Sequence, residues 1–305
     1  MQVFRGFPPA SPHVALTIGN FDGVHRGHQA MLTRLVEAAE DLALPPTVLT
    51  FDPHPREFFA PHSAPPRLST LRDKLEQFAA RGVARVHIAR FNARLAHLSA
   101  LDFIERIMVR SLATRWVLVG EDFRFGRGRG GDLALLRAAA RSFSVETMPS
   151  VTVDGERVSS SAIREALGKG ELERAAAMLG RPYSISGRVA HGDKRGRGLG
   201  FPTANVPLRR RPPLSGIFAV RVHGLSDAPR LGAASLGVRP TVSADARAVL
   251  EVFIFDFDEA IYRRRIRVEF LHKLREEERF PDLDALTRQI RTDVEQAREY
   301  FSTRK

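Results

Sequence analysis

The chain has 305 residues, a length that favours two domains, and 43% of them are hydrophobic, so each half can form a core. It contains no cysteine, which excludes disulfides, thiolate metal sites and cysteine nucleophiles and is typical of a reducing cytoplasm. No apolar run approaches the roughly 18 residues of a membrane span, and the N-terminus shows no secretory signal pattern. We therefore expect a cytoplasmic protein with no membrane partner.

The net charge of +12 comes mainly from arginine, since only 5 of the 47 basic residues are lysine. The arginines are spread over the chain, and the clusters at residues 209–211 and 263–265 have no series of aromatic residues beside them. A nucleic-acid-binding protein usually concentrates its charge in one stripe with interleaved aromatics. The composition therefore favours small anionic ligands such as phosphates and no nucleic-acid partner, with an arginine-rich nucleic-acid binder as the alternative.

The first half of the chain alternates short apolar runs with helical patterns. Five runs rich in β-branched residues are expected to form strands, at residues 14–19, 47–51, 83–89, 115–120 and 143–148. Amphipathic stretches between them are expected to form helices, at residues 29–42, 70–81, 100–112 and 132–141. Strands that alternate with helices predict a doubly wound α/β domain, with a parallel sheet covered on both faces.

The pattern changes near residue 180, where a further predicted helix over residues 161–179 ends at Gly180. The runs that follow alternate with a period of two and are separated by Gly, Pro, Asp and Ser, which predicts an antiparallel, barrel- or sandwich-like domain. An amphipathic helix over residues 282–301 closes the chain. These patterns predict one domain over residues 1–180 and a second over residues 181–305.

The most informative segment is GNFDGVHRGH, residues 19–28, where the first predicted strand gives way to a helix. Ligands of open parallel sheets bind at the carboxyl ends of the strands, and a helix N-terminus attracts anions. Glycines let the backbone approach a ligand, while His25 and His28 can donate hydrogen bonds to phosphoryl oxygens as charge develops in a transition state. The alternative is a turn with two surface histidines.

Two more segments of the first domain fit the same site. GEDFRFGRGRGG, residues 120–131, follows a strand; its glycines predict a mobile loop, its arginines can neutralise phosphates, and Phe123 and Phe125 offer flat faces to a ring. SSSAIR, residues 159–164, places hydroxyl groups and an arginine at a helix N-terminus, where together they can hold a triphosphate. The alternatives are a solvated glycine–arginine turn and simple N-capping by a serine.

In the second domain, GDKRGRGLGFPTANV, residues 192–206, combines a basic glycine-rich loop with Thr203 and Asn205 two positions apart. On an extended segment both side chains point to one face, where a hydroxyl and an amide oxygen suit Mg²⁺ that carries nucleotide phosphates. Glu251 lies in an otherwise apolar predicted strand, residues 250–258, and is a candidate general base. The alternatives are a plain turn and an outward-facing strand glutamate.

These segments together resemble a known enzyme family. Residues 19–28 resemble the HxGH signature of nucleotidyltransferases, which join a nucleoside monophosphate to an acceptor phosphate and release pyrophosphate. Further motifs resemble, in order, the adenylyltransferase and kinase halves of the bacterial bifunctional riboflavin kinase/FAD synthetase family: TFDPHPREFF at 50–59, the segment 119–132, VSSSAIREAL at 158–167, PTAN at 202–205 and LGVRPT at 236–241. The resemblance extends over about residues 14–301.

The resemblance implies a bifunctional enzyme. A nucleotidyltransferase-like first domain would adenylylate FMN with ATP to give FAD and pyrophosphate, with flavin contacts near residues 50–59. A riboflavin-kinase-like barrel would phosphorylate riboflavin with ATP to give FMN and ADP, and Mg²⁺ would serve both reactions. No protein partner is implied.

The resemblance also implies roles for individual residues. His25 and His28 would stabilise the transferring phosphate and the leaving pyrophosphate, and Glu251 would take the proton of the flavin hydroxyl. ATP of the adenylyl transfer would be held by the histidine pair together with Gly19, Phe21, Asp22, Gly23, Asp122, Ser160, Ser161 and Arg164. The nucleotide and Mg²⁺ of the kinase would be held by Gly192, Lys194, Gly198, Thr203 and Asn205, with Thr203 and Asn205 as the metal ligands.

The sequence departs from the riboflavin kinase pattern at two places. The family usually has a polar pair after the glutamate, often Thr-His, where this chain has Val252 and Phe253. It also usually has a DGDLYG-like turn, where this chain has DEAIYR at residues 258–263. Both departures concern the rim of the kinase site and bear on its efficiency. An adenylyltransferase for another phosphate acceptor, with an inactive second domain, is the alternative; the PTAN motif together with Glu251 argues against it.

Overall fold

The structure is a computed structural model that describes residues 1–7, 12–191, 200–208, 210–238 and 248–304. The chain forms two compact units. The first comprises residues 1–65 and 69–159, and the second comprises residues 66–68 and the chain from residue 160 onward.

The first unit is built on a six-stranded sheet in which every neighbouring pair is parallel, in the order β1-β4-β3-β2-β5-β6. Its strands are β1 Gln2–Arg5, β2 Val14–Ile18, β3 Pro46–Asp52, β4 Arg85–Arg90, β5 Thr114–Gly120 and β6 Ser144–Met148. The five predicted strands are confirmed. The edge strand β1 was not predicted, because four residues with one apolar alternation give too short a pattern.

Helices cover both faces of this sheet. They are α1 Arg26–Asp41, α2 Pro55–Phe59, α3 Leu71–Ala79, α4 Ala93–Ala96, α5 Ala100–Asp102, which continues as a π-helical segment Phe103–Ser111, and α6 Leu133–Ala139. Strand β2 is buried on both sides, since Leu16 packs into one hydrophobic cluster and Ala15 into the cluster on the opposite face. The doubly wound α/β architecture is therefore confirmed. A short hairpin of β7 Thr152–Val153 and β8 Glu156–Arg157 completes the unit.

The second unit contains a six-stranded antiparallel sheet in the order β10-β13-β12-β11-β14-β9. Its strands are β9 Ser184–Arg188, β10 Thr203–Pro207, β11 Gly216–His223, β12 Arg230–Val238, β13 Ala248–Ile254 and β14 Arg265–Arg275. A bridge between Ala190 and Asn205 joins the two ends of this order, so the sheet is nearly closed into a barrel. Residues such as Val206, Leu250 and Phe218 fill its interior, and the predicted barrel is confirmed.

Among the described residues, three helices accompany the barrel. The single helix predicted over residues 161–179 is two helices, α7 Ser160–Gly168 and α8 Leu172–Leu179, because Gly170 takes a left-handed conformation with φ +77° between them. The last helix, α9 Leu283–Ser302, is capped by Asp282, and its Ala297 packs against Ala233 on the outer face of the sheet. Helices α7 and α8 belong to the second compact unit, while the division of the two activities at residue 180 stays a prediction.

Candidate active sites

The loop between β2 and α1 has a tightly defined backbone. Phe21, Gly23 and Val24 have positive φ angles of 49°, 82° and 42°, so the chain turns sharply where the buried strand ends. Asp22 is buried, and its Oδ1 accepts hydrogen bonds from the backbone N–H and the hydroxyl of Ser69, at 3.2 and 3.4 Å. These contacts hold the loop at the carboxyl edge of the sheet, where parallel sheets bind ligands.

The two histidines of this loop form a stacked pair. His25 is the N-cap of α1, and its Nδ1 accepts a hydrogen bond from the backbone N–H of His28 at 3.3 Å. Since Nδ1 is an acceptor, the proton of a neutral His25 lies on Nε2, which becomes a donor. The two rings stack with their centroids 3.6 Å apart, and the Phe21 ring lies 5.0 Å from that of His28. The structure thus brings His25, His28 and Phe21 together, and their role in ATP binding stays a prediction.

The electrostatic surroundings keep His28 neutral. Burial is the main cause that lowers the pKa of His28 well below its ordinary value, and repulsion by His25 and Lys74 lowers it further. Within the described residues, the Nδ1 of His28 and the Oδ1 of Asn20 are buried without a hydrogen-bond partner. Buried polar atoms normally have partners, so these two indicate a place where a bound ligand supplies them.

Lys74 is a cation of this site that sequence reasoning missed. It lies in α3, it is only 7% exposed, and its Nζ donates a hydrogen bond to the backbone carbonyl of Asn20. Lysine is rarely buried to this extent. In the sequence, Lys74 is one charge among several in an amphipathic helix. The structure shows that this helix begins with a capping box formed by Thr70 and Asp73.

The loop after β5 lies beside the histidine loop because β5 pairs directly with β2. Its Asp122 is exposed and forms an ion pair with Arg157 at 2.8 Å. Phe125 is buried in the core and stacks on Phe123, with the ring centroids 5.2 Å apart. The expectation that both rings present open faces to a ligand is therefore wrong for Phe125, which closes the core beneath the loop.

Two glycines of this loop, Gly126 and Gly131, serve close packing. A Cβ on Gly126 would meet the Cα of Ala100 at 2.7 Å, and one on Gly131 would meet the Ala100 side chain at 2.8 Å. Gly126 also has a φ of +71°. Two backbone hydrogen bonds join Phe125 and Gly131 across the loop. The expected mobile glycine loop is thus a bridged segment packed against the start of α5.

Aromatic rings follow β3 and β4, which are neighbours in the sheet. Phe58 and Phe59 of α2 are 37% and 66% exposed, and both pack edge-to-face against Phe91 after β4. The ring of Phe51 also packs against Phe91. Their exposure shows that Phe58 and Phe59 do not belong to the core.

Ser160, Ser161 and Arg164 lie at the start of α7 in the second unit. The Arg164 guanidinium donates hydrogen bonds to the carbonyls of Pro66 and Ser160, at 2.7 and 3.1 Å. Arg164 therefore anchors residues 66–68 to this helix. The role of the three residues in ATP binding stays a prediction.

The predicted kinase residues meet on the outer face of the barrel. Asn205 of β10 lies directly opposite Glu251 of β13, which in turn lies opposite Ser235 of β12. Thr203 shares the face of Asn205, and the Asn205 amide nitrogen donates a hydrogen bond to the Thr203 carbonyl at 3.2 Å. Glu251 is half-buried while its neighbours Leu250 and Val252 are buried in the barrel. Thr203, Asn205 and Glu251 thus form one polar cluster.

A cavity of about 360 Å³ adjoins this cluster. It is lined by Thr203, Asn205 and the segment 257–262. The DEAIYR segment, which differs from the usual riboflavin kinase sequence, therefore forms part of its wall. The ring of Tyr262 stacks on that of His191 with the centroids 3.8 Å apart. Gly192, Lys194 and Gly198, and residues 239–241 of the LGVRPT motif, lie outside the described residues.

The donor set on this face fits Mg²⁺ that arrives with a nucleotide. A hydroxyl and an amide oxygen are hard ligands, and Mg²⁺ in phosphoryl-transfer sites takes few protein ligands besides phosphate oxygens and water. Among the described residues, no group of three or more His, Cys, Asp or Glu side chains is placed to hold a metal ion. In the same part of the chain, no helix is both long and apolar enough to cross a membrane.

Known proteins resemble the chain over nearly its full length. Residues 8–162 match the FAD synthetase family and residues 179–301 match the riboflavin kinase family. The chain is 47% identical over 304 residues to the bifunctional riboflavin kinase/FMN adenylyltransferase of Pseudomonas fluorescens, with 98% of this chain and 97% of that protein covered. The protein of the same name from Escherichia coli K12 is 47% identical over 293 residues, with 95% of this chain and 93% of that protein covered.

The fold is also found in a solved structure. A crystal structure described as a macrolide-efflux protein from Streptococcus pneumoniae has a TM-score of 0.83 and 28% identity to the chain. The similarity covers 98% of this chain and 99% of that one.

Proposed function

The chain belongs to the family of bifunctional riboflavin kinases/FMN adenylyltransferases, and from this premise we propose how its residues divide the chemistry. The enzyme phosphorylates riboflavin with ATP to give FMN, and it adenylylates FMN with a second ATP to give FAD and pyrophosphate. We assign adenylyl transfer to residues 1–180 and phosphoryl transfer to residues 181–305. The observation that carries this division is that the His25–His28 pair and the Asn205–Glu251 pair lie in different compact units.

In adenylyl transfer, a phosphate oxygen of FMN attacks the α-phosphorus of ATP. The bond from that phosphorus to the oxygen bridging to the β-phosphate breaks, and pyrophosphate leaves. Charge develops on the α-phosphoryl and leaving oxygens, and positioned donors stabilise it. His25 offers its Nε2–H, since its Nδ1 is occupied by the His28 N–H, and Lys74 adds a buried positive charge beside His28.

The substrates of this reaction bind around the histidine pair. The backbone of Gly19, Phe21 and Gly23, with Asp22 held by Ser69, forms the near side of the ATP site. Asp122, Ser160, Ser161 and Arg164 are the further ATP-binding residues that we propose. The exposed rings of Phe58 and Phe59, with the partly buried ring of Phe91, suit the flat flavin ring, because aromatic rings stack favourably.

In the kinase reaction, a hydroxyl oxygen of riboflavin attacks the γ-phosphorus of ATP, the bond to the β–γ bridging oxygen breaks, and ADP leaves. Glu251 accepts the proton of that hydroxyl, as a general base on the outer face of the barrel. Thr203 and Asn205 would hold Mg²⁺, whose charge when bound neutralises the nucleotide phosphates. Gly192, Lys194 and Gly198 are the further nucleotide-binding residues that we propose for this reaction.

A pair of variants in the full chain tests this assignment. His28→Ala should reduce FAD formation about 10²-fold, the usual effect of losing one positioned donor, and leave FMN formation unchanged. Glu251→Gln should reduce FMN formation from riboflavin by about 10²–10⁴-fold, the usual contribution of a general base, and leave FAD formation from added FMN unchanged. Chromatography of flavins after incubation with ATP and Mg²⁺ measures both rates.

The same incubation separates the alternatives. A wild-type chain that consumes ATP with a different phosphate acceptor and makes no FMN would be an adenylyltransferase with an inactive second domain. Salt-dependent DNA affinity without nucleotide turnover would indicate a nucleic-acid binder. A folded Glu251→Gln enzyme with full kinase turnover would remove Glu251 from the mechanism. We also propose a cytoplasmic location, supported by the ATP that both reactions consume.

A further inference from the structure

Glu277 follows β14 and places its carboxylate on the same face of the barrel as the kinase residues. Its Oε1 lies 1.8 Å from the position that a Cβ atom on residue 237 would occupy, so only the absence of a side chain at Gly237 admits it. Gly237 lies two positions after Ser235 in β12, and side chains two apart share one face of a strand. The Glu277 side chain also forms a hydrogen bond with Ser235.

This position makes Glu277 a near neighbour of Glu251. Ser235 and Glu251 are directly opposite each other in neighbouring strands, a separation of about 5 Å between Cβ atoms. The Glu251 carboxylate repels that of Glu277, while Arg275 and Arg211 offset part of this charge. Loss of hydration is the main cause that raises the pKa of Glu277, and the repulsion by Glu251 adds to it.

Glu277 nevertheless remains accessible to a ligand. The residue as a whole is exposed, whereas the adjoining Arg275 is held by a bidentate ion pair with the buried Asp293 of α9, with both N–O distances at 2.7 Å. The ion pair therefore fixes the start of the connection that follows β14, and this connection places Glu277 over the sheet. A carboxylate is purely an acceptor when ionised, so its natural ligand carries hydrogen-bond donors.

We propose that Glu277 is a second carboxylate of the kinase acceptor site, where it binds a hydroxyl of the polyhydroxyl chain of riboflavin. Glu251 takes the proton of the reacting hydroxyl, and Glu277 accepts a hydrogen bond from another hydroxyl of the same chain. Glu277 is thus a substrate-binding residue that aligns the chain with Glu251. The inference rests on the proposed kinase function of this face.

Steady-state kinetics of Glu277→Ala in the full chain test the proposal, with FMN and FAD summed as the product. We expect KM for riboflavin to rise about tenfold or more, the usual effect of losing a hydrogen bond to a charged group, while KM for ATP changes less than about twofold. Glu276→Gln is the matched control, since Glu276 is exposed and pairs with Lys273 instead, and it should behave as wild type. An unchanged KM for riboflavin in a Glu277→Ala enzyme with a normal melting curve would overturn the proposal.

A second variant moves the carboxylate without removing it. Gly237→Ala places a methyl group where the Glu277 carboxylate lies, and the end of a flexible side chain can swing away at little cost in stability. We expect Gly237→Ala to raise KM for riboflavin as Glu277→Ala does, and the double variant to be no worse than either single one. Additive losses would show that the methyl group obstructs the substrate directly, which contradicts the proposed role of the Glu277 position.

A flavin that carries only a methyl group in place of the polyhydroxyl chain tests which part of riboflavin is bound. As a competitive inhibitor it should have the same inhibition constant for wild type and Glu277→Ala. If Glu277→Ala raises the inhibition constant of this flavin as much as it raises KM for riboflavin, Glu277 contacts the ring, and the proposed contact with the polyhydroxyl chain is wrong. If the wild-type chain makes no FMN at all, the kinase assignment fails, which is distinguishable from normal kinase activity that is insensitive to residue 277.

Discussion

At the scale of single residues, both sites depend on side chains whose properties are set by distant neighbours. His28 follows directly from the sequence motif, but its neutral state comes from burial and from the charges of His25 and Lys74. Lys74 is 46 positions away along the chain and reaches the site only because α3 packs against the sheet. The chemistry of the motif therefore cannot be separated from the fold around it.

Lys74→Met tests this dependence. Removing a like charge favours the protonated form, so the pKa of His28 should rise toward its ordinary value of 6.5, and FAD formation should fall because one positive charge at the phosphates is lost. Titration of the histidine resonances by NMR measures the pKa. His87, whose pKa is lowered by burial and by Arg85, is the internal control and should not move. An unchanged His28 titration would contradict the proximity of the two residues.

The depressed pKa of His28 also has a consequence for stability. Below about pH 6.5 the unfolded chain binds a proton at His28 that the folded chain does not bind. The free energy of unfolding is therefore unaffected by His28 at neutral pH and decreases as the pH falls below that value. Lys74→Met should reduce this acid sensitivity, because the pKa of His28 in the folded chain is lowered less when the neighbouring positive charge is absent.

At the scale of elements, the loop after β5 shows how glycine spacing determines packing. Gly126 has a φ of 71° and a ψ of 178°, a region that is essentially restricted to glycine, and a Cβ there would collide with the backbone of Ala100. Gly128 has a left-handed φ of 62° but no atom within 4 Å of where its Cβ would lie. The two positions look alike in the sequence and differ only in their surroundings.

This contrast predicts different outcomes for two alanine substitutions. Gly128→Ala should cost about 1–2 kcal/mol of the free energy of unfolding, the usual penalty of a left-handed residue. Gly126→Ala should cost at least about 2 kcal/mol more, since it adds a backbone clash, and it should lower FAD formation while FMN formation persists. Denaturant unfolding and the two activity measurements check this. Equal destabilisation by both substitutions would show that the Ala100 contact is unimportant.

At the scale of the whole molecule, the chain contains two units with their own cores and their own polar clusters. The boundary expected from the sequence lies at residue 180, whereas α7 and α8 are part of the compact barrel unit. Gly170, between these helices, lies against the Lys273 side chain of β14. These helices bury Ile163, Leu172 and Met178, which a fragment of the barrel alone would lack.

Two fragments of the chain test this division. A fragment from Tyr183 onward should make FMN and no FAD, because it contains Thr203, Asn205, Glu251 and Glu277. A fragment from Ser160 onward should have the same activity and a higher melting temperature, since α7 and α8 cover apolar surface that the shorter fragment exposes to water. FAD formation by either fragment would show that the histidine pair is not needed for adenylyl transfer.

The sequence by itself determined the order and type of the main elements, the change from an α/β domain to an antiparallel β domain, and the residues of both chemical motifs. These features are local, because the periods of strands and helices, the turn residues and motifs such as HxGH and PTAN are each contained in a short segment. The sequence missed the edge strand β1 because its four residues are too short for a clear pattern. It missed the break at Gly170 because one glycine does not interrupt the helical periodicity around it.

Only the tertiary structure decided which segments are neighbours. The pairing of β2 with β5, the position of Glu251 between Asn205 and Ser235, the burial of Lys74 beside His28 and the placement of Glu277 over Gly237 all join residues far apart in the chain. No local pattern encodes such contacts, because they follow from the sheet order and from the packing of helices and connections on the sheets. The residues that the sequence missed belong to this second class, since a charge becomes part of a site through its neighbours in space.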